Sequence, residues 1–347
     1  MFNLFGPAEV WSDGLLRRSM EEDRAALIIQ STHRGRSDRR QVVNLQSEAS
    51  SPSVSPTPEL IRTFATDLKL TADGRKYAHT RLHATGERLG GSLTDVFVGV
   101  PHLITVDLSN NRLSTLDGLE ALPGLASLTC RHNRLLGILD YPAPKGGSRL
   151  RFADLSDNII AGAVSLPKDH SGRTLGVDAH SSLEELIVDN NRLRSLRGIS
   201  AVEHLTAFSA SGNQLYDTAG LRLPRLRKLD LHGSGLAGCK EIAALSSLYT
   251  LQLQSNKLSK LPDLTALASL TSLDLRHNNL SSLRDLGDAL GRAEPHRWRS
   301  IRLKGNPLLE GLDDMRMRVL YELPSVQELE CGSARPLPHI TASAHTG

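Results

Sequence analysis

The fold class predicted by this sequence is an α/β solenoid: a curved parallel sheet backed on its convex side by short helices or turns. Three observations predict it. Leucines recur at a fixed spacing from residue 103 to residue 308, and an asparagine returns at one place in nearly every period. The composition is also aliphatic. Hydrophobic residues make up 39% of the 347 positions but aromatic residues only 4%, so the core must be packed from branched side chains rather than rings.

The period can be read directly. The template L-x-x-L-x-L-x-x-N-x-L is met by LITVDLSNNRL (103–113), LASLTCRHNRL (125–135), LRFADLSDNII (150–160), LEELIVDNNRL (183–193) and LTAFSASGNQL (205–215). It continues through LRKLDLHGSGL (226–236), LYTLQLQSNKL (248–258), LTSLDLRHNNL (270–280) and WRSIRLKGNPL (298–308). A commonest spacing of about 22 residues falls in the leucine-rich-repeat range. Each period supplies one short strand, with side chains such as Val106 and Leu108 turned inward and Asp107 and Ser109 turned out. The asparagine can bond backbone groups left free where the chain leaves the strand, so Asn111, Asn133 and their successors form a ladder that Ser234 is expected to weaken at one rung.

Between the strands, residues 118–125, 198–205, 241–248 and 263–270 share one short helical or 3₁₀ turn. These compact convex turns resemble the SDS-type leucine-rich repeats of intracellular regulatory scaffolds. Inserts exceed the period at 137–149, 287–297 and, most of all, 161–182, whose Gly, Ser and Asp content predicts a loop. A stack needs caps because its end layers otherwise expose leucine. A degenerate repeat at 76–102, with Leu82, Leu89, Leu93 and Phe97, is expected to close one end of the 103–305 repeats. Residues 306–331, with Met315, Val319, Leu320 and Leu323 at helical spacing, are expected to close the other.

Outside the repeats lie a tail (1–20), a basic helix (21–45), a Pro/Ser linker and lead-in (46–75) and a C-terminal tail (332–347). The helix opens on acidic residues that suit its dipole. It then carries Ile29, Gln30, Arg34, Gly35, Arg39 and Val42 at the spacing I-Q-x-x-x-R-G-x-x-x-R-x-x-V, every specified position of an IQ motif. Such spacing suits calmodulin or a calmodulin-like EF-hand protein: Ile29 and Val42 offer apolar anchors to two lobes, and Arg34 and Arg39 meet an acidic surface. Gly35 allows close approach. The apolar run at 27–29 is too short for membrane binding, and the basic run lacks the interleaved aromatics of nucleic-acid recognition.

The remaining composition narrows the function. A net charge of +3 argues against a general polyanion-binding role. Cys130, Cys239 and Cys331 are sparse and unpaired in spacing, which suggests a reducing compartment, and Cys130 at an inward strand position reads as inert core. No leader or membrane-spanning run is evident, so a cytoplasmic chain is expected. No nucleotide-binding loop, nucleophile elbow or zinc-protease motif occurs. No enzyme activity, metal or cofactor is therefore expected, and His132, His232 and His277, at comparable strand ends, read as a surface column.

The concave face is then the expected interaction surface. Its outward residues suggest a gradient from acidic (Asp107, Asp154, Glu185, Asp189) to basic (Lys228, His232, Arg276, Arg302, Lys304), with Phe152 and Ile187 as exposed apolar contacts. If that gradient binds a partner, reversing Arg276, Arg302 and Lys304 together is expected to weaken the association and spare the fold. Residues 75–331, through YAHTRLHATGERLGGSLTDVFVGVPHLITVDLSNNRL, DTAGLRLPRLRKLDLHGSGL and the Asn-Pro cap, resemble the leucine-rich repeat-containing protein 23 family of axonemal radial-spoke components. The chain departs from that pattern in its IQ motif, its 161–182 insert and the lack of a charged extension after the cap. The resemblance implies a structural subunit of the ciliary or flagellar axoneme, a cytoskeletal location, spoke proteins as partners, and a setting where calmodulin-type subunits occur. The alternative is a soluble regulatory scaffold of the phosphatase-binding or dynein-light-chain kind.

Overall fold

The computed structural model describes residues 52–71, 76–162, 176–291, 298–309, 315–323 and 326–331. The IQ-motif residues at 21–45, both tails, most of the 161–182 insert and part of the 287–297 insert lie outside these. Among the described residues the chain builds a 12-stranded sheet. Its repeat strands are three residues long: β3 (Thr105–Asp107), β4 (Ser127–Thr129), β5 (Phe152–Asp154), β7 (Glu185–Ile187) and β9 (Ala207–Ser209). They continue as β10 (Lys228–Asp230), β11 (Thr250–Gln252), β12 (Ser272–Asp274), β13 (Ser300–Arg302) and β14 (Glu328–Glu330). These strands pair in parallel, in register and in chain order, with the middle residue of each strand turned inward. A small pair, β6 (Ala161–Gly162) and β8 (Arg192–Leu193), spans the long insert, whose far end forms a 3₁₀ turn at Gly176–Ala179.

The core is a single aliphatic column. Val106, Leu128, Leu186, Leu251 and Ile301 from the strands meet Leu113, Leu116 and Leu122 and their equivalents from the convex side, all essentially without solvent exposure. Truncating one such leucine to alanine removes about 2–5 kcal/mol, because neighbours held by their own repeats cannot collapse into the space. Cys130 fills an inward position and is fully buried; burial pushes its thiol well above the ordinary range, as inert core requires. The convex 3₁₀ turns form at Leu119–Ala121, Ile199–Ala201 and Lys240–Ala244, while 263–270 forms turns without a helix. Gly118 opens the first of them at φ 107, where an added Cβ would lie 2.1 Å from the Leu93 carbonyl oxygen.

Two devices repeat at the exit of each strand. First, the residue before the ladder position takes the left-handed conformation: Asn110, His132, Asp157, Asn190, Gly212, Gly233, Ser255, His277 and Gly305 all have positive φ. Asn, Asp, His and Gly are the residues that tolerate that region most readily. This turn aims the next side chain back under the sheet. Second, that side chain bonds across two repeats. The Asn213 amide donates to the carbonyls of Val188 (3.0 Å), Ala210 (3.0 Å) and Ser211 (3.2 Å), and its oxygen accepts from Leu193 N–H (2.9 Å). Asn111, Asn133, Asn158, Asn191, Asn256, Asn278 and Asn306 repeat the pattern. Ser234 keeps the donor half, its hydroxyl reaching the Ala210 carbonyl at 2.9 Å, but has no amide oxygen to offer the preceding repeat.

Both ends are closed. Helix α1 (Pro58–Thr63) starts at Thr57, whose hydroxyl accepts from Leu60 N–H, and buries Ile61. It leads into β1 (Ala65–Leu70), which pairs antiparallel with β2 (Tyr77–His83), and β2 pairs with β3. Residues 58–70 are thus part of the folded cap rather than linker. Leu82, Leu89, Leu93 and Phe97 are fully buried behind them. In the late insert, α2 (Leu283–Leu290) is capped by the Ser282 hydroxyl and buries Leu286, Ala289 and Leu290, a helix that the loop-like composition after it conceals. At the C-terminal end α3 (Met315–Glu322) contributes Val319, and Leu323 follows, both buried.

The ladder makes opposite predictions at two rungs. Asn213→Ala leaves buried backbone groups of two repeats unpaired, at about 1–3 kcal/mol each, so urea unfolding should show a loss on the order of 3 kcal/mol or more. Ser234→Asn restores the missing acceptor and is expected to raise stability by about 1 kcal/mol. An unchanged midpoint in both would show that the amides are not what joins the repeats.

Candidate protein-interaction surface

Cross-strand register sorts the concave face into columns. One runs through the third strand residue: Asp107, Thr129, Asp154, Ile187, Ser209, Asp230 and on to Asp274, Arg302 and Glu330. The first strand residues form a second column that includes Phe152, Glu185, Ala207 and Lys228. The expected site residues therefore do share one face, but several are not free to bind.

Phe152 is buried at 6% exposure and Asp154 at 1%, so neither is the exposed contact that alternation predicted. The acids of the early half are occupied by their own turns. Asp107 accepts from Ser109 N–H at 3.0 Å, and Asp154 accepts from both the N–H and the hydroxyl of Ser156 at 3.0 and 2.6 Å. Asp189 accepts from the Ser209 hydroxyl and Ser211 N–H at 2.6 and 2.8 Å, tying two repeats together. Burial raises the Asp154 and Asp189 pKa values, and these hydrogen bonds oppose the rise; Arg131, 3.5 Å from Asp154, opposes it as well.

The basic half is occupied in the same way. His232 donates its N–H to Asp230 and places Nδ1 2.9 Å from the same carboxylate, and that bond raises the imidazole pKa. Arg276 places a fork on Asp274 through contacts of 2.7–3.1 Å, and Arg302 lies 3.6 Å from Asp274 and 3.4 Å from Glu330. Lys228, Arg302 and Lys304 are exposed. The early acids are therefore held by hydrogen bonds, and His232, Arg276 and Arg302 in the late half share ion pairs with Asp230, Asp274 and Glu330. A signal for this arrangement exists in the sequence: Asp-Leu-Ser at 107 and 154, Asp-Leu-His at 230 and Asp-Leu-Arg at 274 each place a donor two residues after the acid. His132 and His277 are left-handed turn residues, whereas His232 stands one place earlier in its repeat, so the three do not form one column.

What remains open is the middle of the face. Ile187, Ala207, Ser209, Lys228 and Thr250, with Glu185 and Asp230, line an open depression of about 200 Å³. It suits a protruding side chain of a protein better than a small molecule, which needs an enclosing cavity. Elsewhere, Ser148 and His180 form a serine–imidazole pair at 2.7 Å through Nδ1, but the ring is fully buried against Tyr141, and burial lowers its pKa to about 4. That pair joins the 137–149 insert to the end of the 161–182 insert. Among the described residues no group of His, Cys, Asp and Glu is arranged to hold a metal ion, and no helix is long and apolar enough to cross a membrane.

This architecture defines a leucine-rich-repeat solenoid, a fold that typically works by presenting a surface rather than by chemistry. A leucine-rich-repeat family model matches residues 269–289. The chain is 30% identical over 116 residues to the protein phosphatase 1 regulatory inhibitor subunit PPP1R7 homolog of Arabidopsis thaliana, a stretch that makes up 33% of this chain and 33% of that protein. The chain's match thus spans about a third of the length of that curated relative. Among solved structures, it resembles a leucine-rich-repeat protein of Leptospira interrogans with a TM-score of 0.50 and 23% identity, over 67% of this chain and 61% of that one. It is also similar to an internalin of Listeria monocytogenes, with a TM-score of 0.49 and 16% identity, over 76% and 87% of the two chains. The Leptospira likeness shows the fold.

The ion-paired lattice changes what charge reversal does. Arg276→Glu faces the buried Asp274 with a second carboxylate and should destabilise the chain by about 2 kcal/mol, allowing for the partial exposure of the arginine. Lys304→Glu should stay within about 0.5 kcal/mol of the parent. Comparing the two unfolding midpoints checks this, and equal midpoints would mean that the Arg276 fork contributes nothing.

Proposed function

We propose that this chain is a non-catalytic regulatory scaffold that binds the catalytic subunit of protein phosphatase 1 through its concave face. The observation that carries this reading is the 116-residue similarity to the PPP1R7 homolog, a protein phosphatase 1 regulatory inhibitor subunit. The geometry agrees with a protein partner. The concave face offers a depression with Ile187 half-buried at its side and Lys228 exposed at its edge, beside Ser209 and Asp230, whose side chains are already held by Asp189 and His232. A preorganised surface of this kind loses little side-chain entropy on binding. Purified full chain mixed with the phosphatase catalytic subunit should co-elute as a complex, and Ile187→Arg should weaken that complex on the order of tenfold, or about 1.4 kcal/mol. Failure to co-elute at micromolar concentration would remove the phosphatase assignment.

A second reading is favoured by the complete IQ spacing at Ile29, Gln30, Arg34, Gly35, Arg39 and Val42. In it the chain is an axonemal subunit, of radial-spoke type, that recruits calmodulin or a calmodulin-like protein through a helix separate from the solenoid. A peptide covering residues 20–45 should bind calmodulin in calcium or in chelator. Ile29→Asp should abolish micromolar binding, since a charge in an apolar pocket costs several kcal/mol. Equal binding by the substituted peptide would exclude the IQ mechanism.

A further inference from the structure

Beside the concave columns, the residue preceding each strand forms a column along one lateral edge. Backbone bonds fix its order: Arg227 N–H donates to Thr206, Tyr249 N–H to Arg227, Thr271 N–H to Tyr249 and Arg299 N–H to Thr271, at 2.8–3.1 Å. Arg227 and Arg299 are both exposed, as are Lys228 beside Arg227 and Arg225 just before it. Arg225 donates to His204 at 2.8 Å rather than to an acid. From Thr206 to Arg299 neither this column nor the adjoining first strand residues contain a carboxylate. Acids bound the stretch instead, with Glu184 and Glu185 at one end and Glu328 at the other.

Between the two arginines the exposed side chain is that of Tyr249, with the Thr271 hydroxyl buried beside it. Tyr249 is 43% exposed, and Thr271 and Arg299 beside it hold its phenol below the ordinary range. Three strand steps of about 4.8 Å separate Arg227 from Arg299, or about 14 Å. An extended peptide rises about 3.3 Å per residue, so side chains about four residues apart span that distance. Guanidinium forks suit carboxylates, which they engage bidentately.

We propose that this edge, centred on Arg227, Tyr249 and Arg299, binds an extended acidic segment of a protein partner, with two acidic side chains about four residues apart engaging the two arginines. The proposal rests on the scaffold reading and adds a contact that lies beside the concave depression. A short segment is favoured over a nucleic acid by the flanking carboxylates, which oppose a continuous polyanion at both ends, and by the presence of a single ring for base stacking.

The test uses the full chain and a labelled Gly/Ser peptide of about twelve residues with glutamates four residues apart, a length that covers the span. A glutamine version and an oligothymidylate serve as comparisons, and binding is read by fluorescence anisotropy at about 50 and 300 mM salt. The glutamate peptide should bind at least about tenfold tighter than the glutamine peptide and weaken with salt; the Arg227→Glu/Arg299→Glu chain should lose that preference, and Lys304→Glu should keep it. Equal binding of the two peptides, retention by the double variant, or tighter binding of the oligothymidylate would overturn the proposal. The same double variant is run against the phosphatase catalytic subunit. Peptide binding without phosphatase binding supports this surface and removes only the phosphatase assignment, whereas phosphatase binding without peptide binding overturns this proposal alone.

Discussion

In every repeat but that of Ser234 a buried carboxamide completes a hydrogen-bond circuit that three-residue strands cannot close by themselves. A strand this short leaves carbonyls and N–H groups on the turn just beyond it, inside a column with no water to receive them. The asparagine supplies both donor and acceptor in one planar group, and the left-handed residue ahead of it sets the angle. Leucine packing then has a fixed lattice to fill. Without the amide the backbone ladder would still pair successive strands, but the turn just beyond each would lose the bonds that tie it to the repeat before.

That register also explains the charge pattern. Because strands pair without slip, the third residue of every strand faces its equivalents a strand spacing away, and a row of acids would repel itself. The chain answers by giving most of these acids a backbone N–H two residues later or in the next repeat, joined at Asp154, Asp189, Asp230 and Asp274 by a serine hydroxyl, an imidazole or a guanidinium. The face becomes rigid, its acids held by hydrogen bonds or ion pairs. On the neighbouring edge, Arg227 and Arg299 stand apart from any acid in their columns between Thr206 and Arg299.

Much of this was legible in the sequence because the fold is one-dimensional: the period, the asparagine column and the inward strand positions each depend on neighbours at one fixed separation. Ser234 as the weak rung and Cys130 as core follow from the same reasoning. Phe152 did not, since its burial depends on a whole row of cross-strand neighbours and not on alternation within its own strand. The pairing of Arg276 with Asp274 was missed because counting outward charges by sign ignores where each side chain is already spent. The cap was read too short because α1 follows directly on a Pro/Ser-rich stretch, and its signal is one threonine cap and one buried isoleucine. The IQ residues lie outside the described part of the chain, so their spacing remains a statement about sequence.

Strand β7 pairs directly with β5 although the longest insert separates them. The Asn191 amide reaches back 36 residues to Leu155, where Asn133 reaches back 25 to Leu108, yet the two bonds are 3.0 and 2.9 Å. Continuity of the sheet is therefore independent of continuity of the chain at that joint, and lengthening such a connection adds little entropic cost. At that joint the two sides of the sheet are held by strand pairing and by the Asn191 amide as well as by the peptide itself.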